Sequence, residues 1–347
     1  MASAKINYPW PDPPAEGTAT QIADGVLWMR LPLPMALDHV NVYALDDGDG
    51  WTVIDTGFMT GRTKAIWADI LNGPLAAKPL RRVVVTHHHP DHIGLAGWLQ
   101  TAHGASLWTT RTAWLYARML TLSHEDRTTE ATLLHMKRAG ASVEMLDWAR
   151  NREPWNFSRV VAPLPPGYRR IKEGDRVEMG GRVWRVFMGD GHAPEHATFW
   201  SADGEVVISG DQVLPRISPN LGVHANEPEA DPVGEWLASC KKLKPHARER
   251  HLTLPGHTRP FTGLPKRLEQ LIDNHHGAIR RLRKFLAEPR SAVDCFDTIY
   301  KRRIDKGEFS LAMVEAIAHL NHMYETGEAA KRLDADGVIR FRRKETG

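Results

Sequence analysis

A mixed α/β fold, with sheet layers covered by helices, is the class the sequence predicts, and three observations carry it. Short apolar runs bounded by turn residues fall in two groups along the 347 residues. Segments with apolar residues at helical spacing lie between them, the pattern of layered architectures. The composition is 42% hydrophobic and 25% charged, ordinary for a globular chain and sufficient for one large domain with a smaller appendage.

The first strand group comprises GVLWMRLP, HVNVYALDDGDGWTVIDTG and RRVVVTH, with DDGDG between Leu45 and Trp51 as a hairpin turn. The second comprises RVEMGGRVWRVFMGDG and ATFWSADGEVVISGD, turning at Gly180-Gly181 and Asp203-Gly204, and then the short run HLTLPGH. RTKAIWADIL and IGLAGWLQTA read as helices. Between residues 111 and 168 the character changes: RTAWLYARMLTL and TEATLLHMKRAGASVEMLDWARN are apolar at helical spacing. This stretch is too long for a plain loop, so a helical insertion is expected, its Trp, Met and Leu side chains forming a lid. From about Leu264 the pattern is helices followed by a turn at Asp336-Gly337, a winged-helix-like arrangement. The expected division is a catalytic domain over 1–262, with the insertion at 111–168, and a small C-terminal domain over 263–347.

A net charge of +3 gives no whole-protein field for nucleic acid or membrane binding. Two cysteines, Cys240 and Cys295, cannot build a disulfide framework and are too few for a thiolate zinc site. The N-terminal stretch MASAKINYPWPDPPAEGT lacks the apolar segment of a signal peptide. No run approaches the roughly 20 apolar residues of a membrane span. The expected setting is cytoplasmic, with no membrane partner.

Chemistry concentrates in VVVTHHHPDHIGLAG, residues 83–97. Alternate residues leaving a strand point to one side, so His87 and His89 can converge on one ion. Pro90 delays the following helix. Asp91 and His92 then stand at its mouth, where they can face a second ion and where the helix dipole favours a carboxylate. Alone, the cluster is also compatible with a polar turn. Four donors do not close two metal sites, so further His and Asp are expected at later strand ends. His192 follows WRVFMG, Asp211 follows VVISG, and His257 follows LTLPG.

With these residues in place the sequence resembles the metallo-β-lactamase superfamily. Its motifs stand in order as Val53–Gly57 (VIDTG), Thr86–His92 (THHHPDH), Gly191-His192, Gly210-Asp211 and Gly256-His257, over roughly Gly25 to Phe261. The resemblance implies an αββα sandwich carrying two divalent metal ions, usually zinc, with iron and manganese also found. It implies that His87, His89 and His192 hold one metal and that Asp91, His92 and His257 hold the other. Asp211 bridges them, together with a water or hydroxide that is the nucleophile. Asp91 and Asp211 are then the catalytic carboxylates that orient or relay its proton. Asp55 supports the His-rich loop without binding metal, and His196 stands behind the ligands. His88 is expected to point away.

The family hydrolyses thioesters, lactams, lactones, phosphodiesters and sulfate esters. The Asp211–His257 interval is too short for the cap domain of its nucleases. GHAPEH carries Glu195 where the GHTPGH of glyoxalase II-like hydrolases has glycine, which argues against a glutathione thioester; Glu195 itself reads as a surface residue of the loop. Trp114, Tyr116, Met119, Leu120, Trp148 and Trp155 are expected to wall an apolar pocket, and Asn220 and His224, in ISPNLGVHANEPEADP, to face a small-molecule substrate. The favoured reading is hydrolysis of an acyl thioester or related ester. The alternatives are a lactone or β-lactam hydrolase, and a phosphodiesterase or endoribonuclease whose basic tail binds nucleic acid. The tail clusters 280–284, 301–303 and 340–344 lie near acidic residues and lack interleaved aromatics, so nucleic acid is not the favoured partner. The tail helices could instead serve assembly, as the interface of a homodimer.

Overall fold

The structure, a computed structural model, describes residues 5–35 and 37–345. Its residues group into two compact units. The first takes in residues 1–124, 156–219 and 243–268, and the second 125–155, 220–242 and 269–347.

The first unit holds two sheets. One runs β1 (Thr20–Ala23), β2 (Val26–Pro32), β3 (His39–Asp46), β4 (Trp51–Ile54), β5 (Leu80–Val84), β6 (Ser106–Thr109) and β7 (Arg169–Arg170), in that spatial order. The strands β1 to β4 are antiparallel and β4 to β7 are parallel. Parallel neighbours need crossover connections. α1 (Gly61–Asn72) supplies the first, α2 (Pro90–Ile93) with α3 (Ala96–His103) the second, and α4 (Arg111–Leu122) opens the third. The other sheet has β8 (Arg176–Met179), β9 (Arg182–Gly189), β10 (His196–Ser201), β11 (Val206–Gly210) and β12 (Leu252–Pro255), in the order β12-β11-β10-β9-β8. All its pairs are antiparallel except β11 with β12.

Two cores explain the strand sequences. Neighbouring residues of a strand face opposite sides of its sheet, and Trp28 and Met29 show what that means here. Trp28 packs with Tyr43, Trp184 and Phe199, drawn from both sheets. Met29 packs with Trp67 and Ile70 of α1 and Leu99 of α3. Both faces of the first sheet are buried, so its central strands read as near-continuous apolar runs. Helix, sheet and sheet are three layers of the predicted sandwich. Polar ties pin the end of β12: Tyr43 Oη and Asn41 Nδ2 both donate to Pro255 O, at 2.7 and 2.9 Å.

The second unit is mainly helical. It contains α5 (Glu130–Arg138), α6 (Val143–Asn151), α7 (Pro232–Leu243), most of α8 (Leu264–Phe285), α9 (Phe296–Tyr300) and α10 (Phe309–Glu325). It closes with the antiparallel hairpin β13 (Ala329–Leu333) and β14 (Ile339–Arg343). Among the described residues, no helix is long and apolar enough to cross a membrane.

The insertion is helical as expected, but it is not one lid. Ala117 of α4 joins the core beneath the helices of the first unit. The turn after α5 belongs instead to the second unit, because Ala139 O accepts from Val293 N at 3.0 Å and Gly140 lies against Ser291. Apolar helical spacing gives the face a helix buries, not the unit that receives it.

Candidate metal centre

The strands β4, β5, β11 and β12 form parallel pairs within their sheets, and the residues that follow them are Asp55, His87 to His92, Asp211 and His257. His192 follows β9. Three groups of donors result: His87, His89 and His192; His87, His92 and Asp211; Asp91, His92 and His257, the donor atoms of each lying within 4.8 Å of one another.

In the first group, His89 Nδ1 is 3.0 Å from both His87 Nε2 and His192 Nε2. Burial, and then the crowd of neighbouring imidazoles, hold the His87 and His89 pKa values well below the ordinary one. Neutral rings present lone pairs, the form in which histidine binds metal.

The third group is richer in acid. His257 Nε2 lies 3.2 Å from Asp91 Oδ2 and 3.1 Å from Asp211 Oδ2. Burial lowers the His257 pKa, but Asp211 and Asp91 outweigh it and push the ring up to about 10. His92 follows the same balance and stands well above its ordinary value, raised by Asp91, Asp211 and Asp55 against burial. Burial would raise Asp211, yet His257 and His92 hold it well below the carboxylate range. The field at this point favours positive charge.

Asp211 Oδ2 also lies 3.5 Å from His92 Nε2 and 3.5 Å from His192 Nε2, so one carboxylate oxygen faces donors of both triads. Meanwhile His92 Nε2 and Asp211 Oδ1 are buried without hydrogen-bond partners, a costly arrangement for polar atoms in a protein interior. Lone pairs converging from buried imidazoles and carboxylates are the donor set of a divalent cation, and the residues fit one.

Surrounding residues fix the donors. Asp55 has φ 62°, and its carboxylate accepts from Thr86 N at 2.8 Å and from Thr86 Oγ1 at 2.9 Å. The same carboxylate meets His92 Nδ1 at 2.8 Å, which turns Nε2 toward the cluster. His196 is fully buried and its Nε2 accepts from Asp211 N at 3.1 Å; its ring stacks on His87 with centroids 4.5 Å apart. Burial pulls its pKa down to about 3, keeping it the neutral acceptor that this contact needs. Gly256 is obligatory, since a Cβ there would stand 2.1 Å from Asp211 Oδ1 and 2.7 Å from His92 Cε1.

Two contributors escaped the sequence reading. His257 Nδ1 donates to His39 O at 2.7 Å, and His39 Nε2 accepts from Thr258 N at 2.8 Å. His39, the first residue of β3, thereby sets the tautomer of His257. Glu195 is no incidental surface residue. It sits at φ 49°, its N–H donates to Asp190 Oδ1 at 2.9 Å, and its Oε2 accepts from Thr112 N at 3.0 Å and Thr112 Oγ1 at 2.6 Å. It ties the His192 loop to the first turn of α4.

The remaining expected contacts separate. His88 turns to the ring of Tyr116, centroids 5.0 Å apart, and joins none of the donor groups. Trp114, expected to wall the pocket, stacks flat on Tyr168 at 4.8 Å and packs against the helix-side core, so it serves α4 instead. Leu120 packs against that core too, whereas Met119 is half exposed. Trp148, Trp155, Asn220 and His224 belong to the second unit, where Asn220 Nδ2 donates to Glu315 Oε2 at 3.0 Å and His224 is exposed.

Comparison with known proteins gives a consistent result. The profile of the metallo-beta-lactamase superfamily matches residues 35–267, and that of a metallo-beta-lactamase-like C-terminal domain matches residues 279–344. The chain is similar to a probable metallo-hydrolase of Bacillus subtilis (strain 168), 23% identical over 303 residues, which are 86% of this chain and 92% of that protein. The crystal structure of a beta-lactamase domain protein from Burkholderia ambifaria is 37% identical and covers 98% of each chain with a TM-score of 0.90. A metallo-beta-lactamase family protein from Thermus thermophilus, 24% identical, covers 93% of this chain and 100% of its own with a TM-score of 0.77, a likeness of fold.

Proposed function

The chain belongs to the metallo-β-lactamase superfamily, and from that premise we propose that it is a two-metal hydrolase acting on an acyl thioester or related ester. His87, His89 and His192 would hold one ion, and Asp91, His92 and His257 the other. The single observation supporting two ions is Asp211, whose Oδ2 lies within 3.5 Å of nitrogens in both triads. Divalent ions, zinc in the first instance, supply activation of water and polarisation of the substrate oxygen.

The chain's own residues do the rest. Asp55, His196 and the His39 carbonyl orient the donors through the bonds described above. Asp91 is the more open of the two central carboxylates, its side chain 16% exposed against 7% for Asp211. The Asp91 oxygen that does not face His92 and His257 would therefore be the one able to accept a proton from the attacking water and pass it to solvent.

The ester reading draws on α4. This helix turns Tyr116 toward His88 and leaves Leu115, Met119 and Leu122 exposed at spacings of four and three, an apolar face suited to an acyl chain.

The experiment is metal analysis paired with a substrate panel. Elemental analysis should find about two ions per chain, and thiol should be released from acyl-coenzyme A or acyl-glutathione. His89→Ala should lower both metal content and turnover, the latter by about 100-fold or more. A metal-free protein of full activity would end the reading. Turnover of only a lactone or a chromogenic β-lactam would replace the thioester by those substrates, and turnover of only bis-nitrophenyl phosphate would move it to phosphodiesters.

A further inference from the structure

Beside His257 lies a group of arginines that the hydrolytic machinery does not use. The loops leaving Asp211 and His257 each place a guanidinium over one ring: Arg216 and Arg259 both stand 5.1 Å from the centre of Tyr8. Arg30 lies on β2, paired with Asn41 of β3, and Asn41 N donates to Gly256 O, the residue before His257. Burial lowers the Arg30 pKa, Asp38 opposes that, and Arg259 adds a smaller lowering.

Among the described residues, no carboxylate forms an ion pair with Arg30, Arg216 or Arg259, and Arg30 Nε is buried without a partner. Asp38 acts on Arg30 through space, but its short contact, 2.5 Å, is with His39. The arrangement is also held in place. Buried Arg267 donates to Leu214 O at 2.5 Å and Ile217 O at 2.9 Å, on either side of Arg216. Arg259 is anchored by its bond to Pro11 O at 2.5 Å.

Two guanidiniums over one ring repel, and an aromatic face offsets only a fraction of that. A pair of guanidiniums with no carboxylate ion-paired to either is complementary to an oxyanion.

We propose that Arg216 and Arg259, both standing over Tyr8, form a subsite for a carboxylate or phosphate group, and that the enzyme's substrate carries such a group. The second half of this statement rests on the hydrolytic reading above; anion binding does not. The substrate class becomes an anionic ester or thioester, charged in its acyl portion if the subsite takes carboxylate and in its leaving group if it takes phosphate.

The test is calorimetric titration of the full-length, chelator-treated protein, so that ions in the donor cluster cannot bind the probe. Glutarate and adenosine 3′,5′-bisphosphate are the anions, with glutaramide and adenosine as their uncharged counterparts. At least one anion should bind about tenfold or more tighter than its counterpart, and which one does identifies the group. The double variant Arg216→Gln/Arg259→Gln should lose about tenfold or more of that affinity, the loss expected when charge-assisted bonds are removed. The double variant Arg62→Gln/Lys64→Gln, which removes equal charge from α1, should stay within about twofold. Anions binding no better than their counterparts, or an unaltered affinity in Arg216→Gln/Arg259→Gln, would overturn the subsite whatever esters the metal-loaded protein cleaves. Anion binding without any ester or thioester hydrolysis would instead support the subsite and remove the hydrolytic reading.

Discussion

At the scale of single residues, the centre depends on side chains outside the three donor groups. Asp55 is held in left-handed backbone, φ 62°, a conformation that costs a non-glycine residue about 1 kcal/mol or more. It persists because the carboxylate accepts from Thr86 and fixes His92 Nδ1 at once. Asp55→Asn retains an acceptor for Thr86 but removes the charge behind His92. Metal affinity, read by chelator competition, should fall about 10- to 100-fold with the fold intact, and an unchanged affinity would contradict the orienting role. The clustering was legible in the sequence, because His87, His89, Asp91, His92, His192, Asp211 and His257 all follow strand ends, where side chains have one place to converge. His39 was not legible. Its contribution to His257 is made by a backbone carbonyl, which any residue type possesses.

At the scale of elements, Glu195 shows what a departure from a family motif can do. The loop between β9 and β10 needs positive φ at this position, which glycine adopts without penalty. Glutamate accepts that strain and gains two bonds from Thr112, at the start of α4. Replacement by glycine should therefore change stability little, since relief of about 1 kcal/mol of strain offsets lost bonds that are partly solvent-screened. The same variant should speed amide exchange in the first turn of α4, while Glu195→Gln, strained and uncharged, should lower the melting temperature. Equal exchange in α4 for all three proteins would show that no tether exists. No composition or spacing rule announces this link, which joins residues far apart in sequence. The helices of the insertion divide for a related reason: α4 and α5 share one apolar periodicity, but their partners come from different parts of the chain.

At the scale of the whole molecule, the two compact units answer to different conditions. All seven clustered His and Asp residues lie in the first, so a divalent ion bound there should stabilise it by mass action. The second carries the buried pair His275 and His319, whose Nδ1 and Nε2 are 3.2 Å apart. Burial, reinforced by neighbouring cationic groups, lowers their pKa values to about 3 and about 4. Each ring folds neutral, so its contribution is present above the ordinary histidine pKa of about 6.5 and is lost as pH falls toward the folded value. Glu315 works the other way. Burial pushes it up to about 7 against Tyr300 and Asn220, so its contribution is present below about 4.5 and fades as pH rises through 7. Between about pH 6.5 and 4.5, unfolding of this unit takes up two protons at the histidines and releases one at Glu315. For these three groups the balance is one proton taken up, and stability should decline on acidification. Urea unfolding of the chelated protein, followed from pH 7.5 to 4.5, should show that decline. His319→Gln should flatten it, and Glu315→Gln, which removes the opposing term, should steepen it. The same slope in all three proteins would mean that these groups do not govern the acid response of the second unit.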